Sequence, residues 1–164
     1  MLVLALVANG LPKHKIPLTK SGKPYQTKGH ARHPVTLWTG RTSGNFNWHL
    51  RYAISMMGEY TYRNGKTRAG FDVLRCAVDY QGLVPKGPLE QFQNSSMYQE
   101  ITDTDVPECY RQTMVSKWLA DKIKVKWTKR KPPDWCTVPV VKMGEIYYRF
   151  TVQESLDVEA SLLG

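Results

Sequence analysis

Residues 32–53, RHPVTLWTGRTSGNFNWHLRYA, gather Trp38 and Trp48, His33 and His49, Arg41 and Arg51, and Asn45 and Asn47, with no carboxylate among them. Guanidinium groups neutralise phosphates, indole rings stack on exposed bases for about 1–3 kcal/mol each, and Asn and His hydrogen-bond base edges or sugar oxygens. The combination points to an anionic, ring-bearing partner. The segment WTKRKPPDW, residues 127–135, repeats it, with Lys129, Arg130 and Lys131 between Trp127 and Trp135. Any one of these indoles serves equally well as a core anchor, and Trp48 and Trp118 are expected in the core.

Glu59 is the first acid after 58 acid-free residues, with Arg63 one helical turn on and Lys66 close by. A lone carboxylate in a basic groove suits glycosidic chemistry, where it stabilises positive charge on the sugar or moves a proton. The same two residues also make an ordinary i,i+4 ion pair. The candidate catalytic residues are therefore Glu59 and Arg63. The candidate nucleic-acid contacts are Lys28, His30, Arg32, His33, Trp38, Arg41, Asn45, His49, Lys66, Lys129, Arg130 and Lys131, with Trp38 and His33 shaping a nucleotide pocket that Glu59 and Arg63 line. His30 and His33 are spaced i,i+3, but no HExxH, CxxC or carboxylate cluster joins them, so no metal site is expected. The chain has no GxxxxGK[ST], no GxGxxG and no nucleophile elbow, and no cofactor is expected.

Charge is segmented along the chain. The net charge is +9 over 164 residues. Residues 1–58 carry eight cations, all four histidines and no acid; residues 90–108 carry five acids and no base; residues 117–131 carry seven bases against Asp121 alone. Such a balance favours nucleic acid, an anionic surface or an acidic protein over a neutral partner. With 5 Trp, 9 Tyr and 4 Phe the chain has enough large apolar side chains to fold rather than stay disordered. Three cysteines, Cys76, Cys109 and Cys136, fit neither a disulfide framework nor a zinc pattern and are read as reduced thiols. No segment has the length of a membrane span, the start lacks the features of a signal peptide, and a cytoplasmic location is expected.

The elements that must position these groups are mainly helical. Residues 2–8 read either as the tail of a helix closed by Asn9-Gly10 or as a buried first strand. Residues 11–32, broken by Pro12, Pro17, Pro24, Gly22 and Gly29, form a lysine-rich loop suited to phosphates. Residues 35–38 read as a short extended piece. Thr42 or Ser43 then caps a helix over 45–64, with Phe46, Leu50, Ala53, Ile54, Met57 and Tyr60 or Thr61 inward and Gly65 at its end. On its other side His49, Tyr52, Ser55, Glu59 and Arg63 align. A second helix spans 67–78, with Phe71, Leu74 and Val78 inward. A third is capped by 103–105, carries Tyr110, Met114 and Trp118 with the neighbouring Val115 and Leu119 on its apolar side, and runs to about residue 126. A small hairpin surrounds Gly144, and residues 153–164 are an acidic tail.

Several of these residues resemble a family of small phage-encoded proteins. Its pattern matches Tyr25, His30, His33-Pro34, Trp38, Ser43, Asn45, Trp48, Glu59-Tyr60, Arg63 and Gly65-Lys66, and further on Phe92, Met97, Tyr110-Arg111, Lys117, Trp127 and Pro133-Trp135. More distantly, this family is similar to phage pyrimidine-dimer DNA glycosylases, compact helical proteins that cleave a glycosidic bond through an amine nucleophile and a glutamate. The shared element is an extended His-x-Thr-aromatic stretch leading into a helix with an acid and an Arg-Gly near its end. The resemblance implies DNA repair or modification. It also implies an upstream helix with an acid-and-basic cluster, of which residues 2–8 match only the tail. Either an internal methionine begins this chain or the chemistry is lost and binding kept. No nucleophile is assigned.

The expectation is a mainly α fold: one small helical domain over 1–152 with three principal helices, a basic loop at 11–32 and a short C-terminal β-hairpin, followed by the acidic tail. It is expected to bind DNA as a relative of DNA glycosylases. The alternative is a non-catalytic phage accessory protein that binds nucleic acid or an acidic host protein.

Overall fold

The computed structural model describes residues 1–25, 27–67, 70–92, 94–95, 106–120, 127, 129–137, 140–143 and 146–149. The chain forms two compact units, Met1–Gln93 and Asn94–Gly164. It is mainly helical, with five α-helices among the described residues. The expected hairpin turns at Gly144 and the acidic tail begins at residue 153; both positions lie outside the described residues.

In the first unit, α1 (Leu2–Ala8) and α2 (Pro34–Arg41) cross closely. Residues 2–8 are thus a helix and not a strand. Leu2, Val3, Ala5 and Leu6 are buried, and the small side chain of Ala5 meets Gly40 of α2. Asn9 joins the two helices: its Nδ2 donates to the carbonyls of Ala5 (2.8 Å) and Gly40 (3.0 Å). Gly10, at φ +94°, then turns the chain where a side chain would be strained. The short extended piece expected at 35–38 is instead the body of α2. Pro34 at the first turn pre-sets the helical φ, and His33 Nδ1 accepts the Val35 N–H (3.2 Å), which offsets the low helix propensity of Val35 and Thr36.

The long helix α3 (Ser43–Asn64) follows after the single residue Thr42. The Thr42 hydroxyl accepts the Asn45 N–H (3.1 Å), and Gly65 closes the other end in the left-handed conformation, as the sequence predicts. Phe46 and Leu50 enter the core, with Ala53 packed beside them. Ile54 and Thr61, expected inward, are exposed, because the packed stripe runs through residues 46, 50, 53, 57 and 60.

Helix α4 (Phe71–Tyr80) corrects a second expectation. Phe71 is 58% exposed and Val78 is also exposed; Leu74 packs against the core as expected, and the inward stripe beside it is Val73, Cys76, Ala77 and Tyr80. These lie at i, i+3, i+4 and i+7, and the small Cys76 and Ala77 let α4 approach α1 and α3 closely. Size alone picks the wrong stripe here.

After a 3-10 turn at Gln81–Leu83, residues 84–92 return across the corner between α2 and α3. Their carbonyls take up the amino end of α3: Ser43 N–H donates to Pro85 (2.7 Å), Gly44 N–H to Gly87 (3.1 Å), and the Thr42 hydroxyl to Pro88 (2.7 Å). Gly44 has no side chain for a reason: an added Cβ would run into the backbone of Pro88 and Leu89. Asn45, fully buried, divides its amide between α2 and the same strap. Its Nδ2 donates to Trp38 O (2.8 Å) and Glu90 Oε2 (2.9 Å), and its Oδ1 accepts the Glu90 N–H (2.8 Å).

In the second unit, α5 (Val106–Ala120) begins with Pro107 and Glu108 in its first turn, as the sequence predicts. Cys109 and Val115 are buried, whereas Met114, expected inward, is exposed. The expected caps at 103–105 lie outside the described residues. Cys76 and Cys109 are free thiols.

Gly44→Ala is expected to lift the strap and lower stability by about 1–3 kcal/mol. Asn45→Ala, which removes three hydrogen bonds around a buried amide, is expected to lower it by about 2–4 kcal/mol. Chemical denaturation of the two variants against the parent checks both.

Candidate nucleic-acid interface

The aromatic residues of the first unit form a graded cluster. Trp38, on α2, is only 3% exposed and donates its indole N–H to Gln91 O (2.8 Å). Trp48, one turn into α3, meets it edge-on at 6.0 Å, and Phe92 from the strap fills the angle at 5.5 Å from Trp38 and 4.7 Å from Trp48. Tyr52 lies one turn further along α3. Its ring is parallel to Trp48 within 7°, with centroids 5.5 Å apart. Trp48 is 40% and Tyr52 50% exposed. Together they form a ledge of stacked rings on the surface, with the exposed Arg51 beside it.

This arrangement redistributes the predicted residues. Trp38 and Asn45 are interior groups that hold the strap and have no surface for a ligand. Trp48, expected in the core, is half on the surface. Arg41 is exposed, with its guanidinium 3.5 Å from the Glu90 carboxylate, an exposed pair worth at most about 1 kcal/mol. Glu90 stands at the amino end of α3, where a negative charge complements the helix dipole. That end is thereby closed to an incoming anion: its first amides are taken and its potential is offset.

His49 is structural. The buried Thr39 hydroxyl donates to Val35 O (2.6 Å) and lies 2.7 Å from His49 Nδ1. Its one proton is spent on Val35, so His49 Nδ1 carries the hydrogen and donates to Thr39. Burial, reinforced by the positive Met1 amino group, pushes the imidazole down to about 4. A neutral His49 adds no charge toward phosphate at neutral pH.

Glu59 and Arg63 pair as expected, with Arg63 Nε 2.7 Å from Glu59 Oε1, and both are half-buried. They share the face of α3 that carries Trp48 and Tyr52, at i+11 and i+15 from Trp48. At 1.5 Å per residue, Glu59 lies about 10 Å beyond Tyr52 and about 16 Å beyond Trp48. Along the helix axis the Glu59–Arg63 pair thus stands well apart from the rings of Trp48 and Tyr52. Lys66 is exposed just past the end of α3.

The basic loop is ordered from within. Leu11 and Ile16 are buried, Leu18 bridges to Pro24, and Tyr25 N–H donates to Pro17 O (3.0 Å). Lys28, His30 and Arg32 are exposed in the turns that lead to α2, and His30 meets His33 edge-on at 6.0 Å. His33 itself is half-buried as the cap of α2. At its other side the loop lines an open hollow of about 360 Å³ with α4. There Lys15 and Arg75 face Asp72 and Asp79, so the local charges cancel. Burial and the neighbouring Asp79 push the Cys76 thiol in that hollow up from its ordinary value, which disfavours the thiolate.

In the second unit, Trp118 stacks on Trp135 (5.9 Å, 24°) and meets Trp127 edge-on (5.7 Å), so all three indoles join one half-buried cluster. Lys129, Arg130 and Lys131 are exposed next to it, and Lys129 holds a positive φ of 64°.

Tyr52, Glu90 and Phe92 were not among the candidate residues. Tyr52 was legible as i+4 from Trp48; nothing local marks the other two. Among the described residues no group of three or more His, Cys, Asp and Glu is placed to hold a metal ion, and no helix is long and apolar enough to cross a membrane. Comparison of the chain with family models, with curated proteins and with solved structures finds no match.

His49 sets a pH dependence. Its folded pKa lies below the unfolded value of about 6.5, so the unfolded chain binds the extra proton first. The stability it contributes is whole above pH 6.5 and is lost as pH falls toward 4. Partial exposure limits the loss to roughly 1 kcal/mol between about pH 7 and about pH 5. Denaturation midpoints at the two pH values check it: His49→Gln is expected to lose this part of the pH dependence.

Proposed function

We propose that this chain binds DNA, as a phage protein related to DNA glycosylases of the pyrimidine-dimer type, and acts in DNA repair or modification in the cytoplasm of the host cell. One observation carries the reading. A single face of α3 holds the stacked, half-exposed rings of Trp48 and Tyr52 and then the Glu59–Arg63 pair. Rings of this kind hold bases, and a carboxylate on the same face suits glycosidic chemistry. Exposed Lys28, Arg32, Arg41 and Lys66 are the phosphate contacts in this reading, and Lys129, Arg130 and Lys131 are a second set. Glu59 is the candidate catalytic group and Arg63 the group that positions it. The short C-terminal hairpin around Gly144 belongs to the same proposal.

A second reading, a non-catalytic accessory protein that binds nucleic acid or an acidic host protein, is favoured by one detail. The Glu59 carboxylate already receives Arg63 at 2.7 Å, as in a purely structural pair.

Titration of labelled duplex at several salt concentrations tests the binding. The logarithm of affinity is expected to fall linearly with that of salt, by about 0.9 per phosphate contacted, and Arg32→Ala is expected to reduce that slope by about one. A flat salt response contradicts DNA binding. Incubation with ultraviolet-irradiated duplex and borohydride tests the chemistry. A trapped adduct with strand scission, lost in Glu59→Gln while binding persists, supports the enzyme; binding without adduct or scission leaves the accessory protein.

A further inference from the structure

We infer that the Trp48–Tyr52 ledge takes the unpaired bases of a single strand, and that this protein binds single-stranded nucleic acid in preference to duplex. The inference rests on the DNA-binding reading and names the strand state that its site accepts.

Two features of α3 lead to it. The first is what the helix cannot do. A helix that reads a duplex in the manner of a helix-turn-helix protein presents its amino-terminal residues to base edges in the major groove. Here that end lies under the strap. Ser43 and Gly44 donate to Pro85 and Gly87, Asn45 is fully buried, and the Glu90 carboxylate sits where a phosphate would have to approach. With the Arg41 guanidinium 3.5 Å from Glu90, that end offers no net positive potential to draw the duplex backbone.

The second is what the flank of α3 offers. Tyr52 is parallel to Trp48 within 7° and half-exposed, so a flat ring laid on Tyr52 continues a stack that Trp48 begins. Stacking reads the face of a base and not its edge. In a duplex both faces are covered by neighbouring pairs; in a single strand they are open. The charge suits the same occupant. Arg51, three residues on from Trp48 along α3, is exposed. An apolar protein segment would use the rings but not that cation.

The test is fluorescence anisotropy with labelled oligothymidylate, oligouridylate and a duplex of equal length, at one low salt concentration. Either single strand is expected to bind at least about tenfold more tightly than the duplex. Tyr52→Ala is expected to weaken single-strand binding about tenfold, the effect of losing one base–ring stack, and to leave duplex binding unchanged. Tyr52→Phe keeps the ring and the affinity, whereas Tyr52→Leu, which preserves apolar packing, loses the affinity. A preference between the two oligonucleotides identifies the strand as DNA or RNA. Equal or tighter duplex binding, or an undiminished Tyr52→Ala, overturns the inference while DNA binding stands. Failure to bind any of the three overturns DNA binding itself.

Discussion

The first unit depends on one buried amide. Asn45 sits at the start of α3 with no exposed surface, and its three hydrogen bonds tie together Trp38 of α2, the backbone of Glu90 and the carboxylate of Glu90. A buried side-chain amide left without partners costs about 1–3 kcal/mol, so its environment must be complete or the residue is a liability. It is complete here only because residues 84–92 return across the corner. Gly44 permits that approach, and the carbonyls of Pro85 and Gly87 meet amides that the first turn of any helix leaves unpaired.

The placement of the aromatic residues follows from that closure. The strap brings Phe92 against Trp38 and Trp48, and its Gln91 carbonyl receives the Trp38 indole. Trp38 is thereby committed to the interior. Trp48 is held on one edge and open on the other, and Tyr52 follows it at the next turn. Past Leu50 no residue of α3 is fully buried, so the helix carries its polar pair Glu59–Arg63 outward along the same face. Closing the amino end against anions goes with a gain in shape: a packed row of rings along the flank of α3.

Much of this was legible in the sequence where local rules govern. Thr42 as cap, Gly65 as terminator, the long helix between them and the Glu59–Arg63 pairing all follow from spacing and side-chain chemistry. What failed depended on an unrecognised cap or on distant contacts. Residues 35–38 look extended by propensity, yet Pro34 and the His33 cap make them helical. Phe71 and Val78 look like core by size, yet Cys76 and Ala77 face inward because a close helix crossing needs small residues. Asn45 and Trp38 have the chemistry of ligand contacts and spend it on Glu90 and Gln91, 45 and 53 residues away. No periodicity within the segment itself shows that partner.

Amide hydrogen exchange at Ser43, Gly44 and Glu90 tests the strap most directly. Their N–H groups donate to Pro85, Gly87 and Asn45, so each is predicted to exchange as slowly as the core amide of Leu50 and in the same cooperative opening. Exchange at the rate of an open turn such as Gly29, while Leu50 stays protected, would mean that the strap does not close on α3 and would contradict the account.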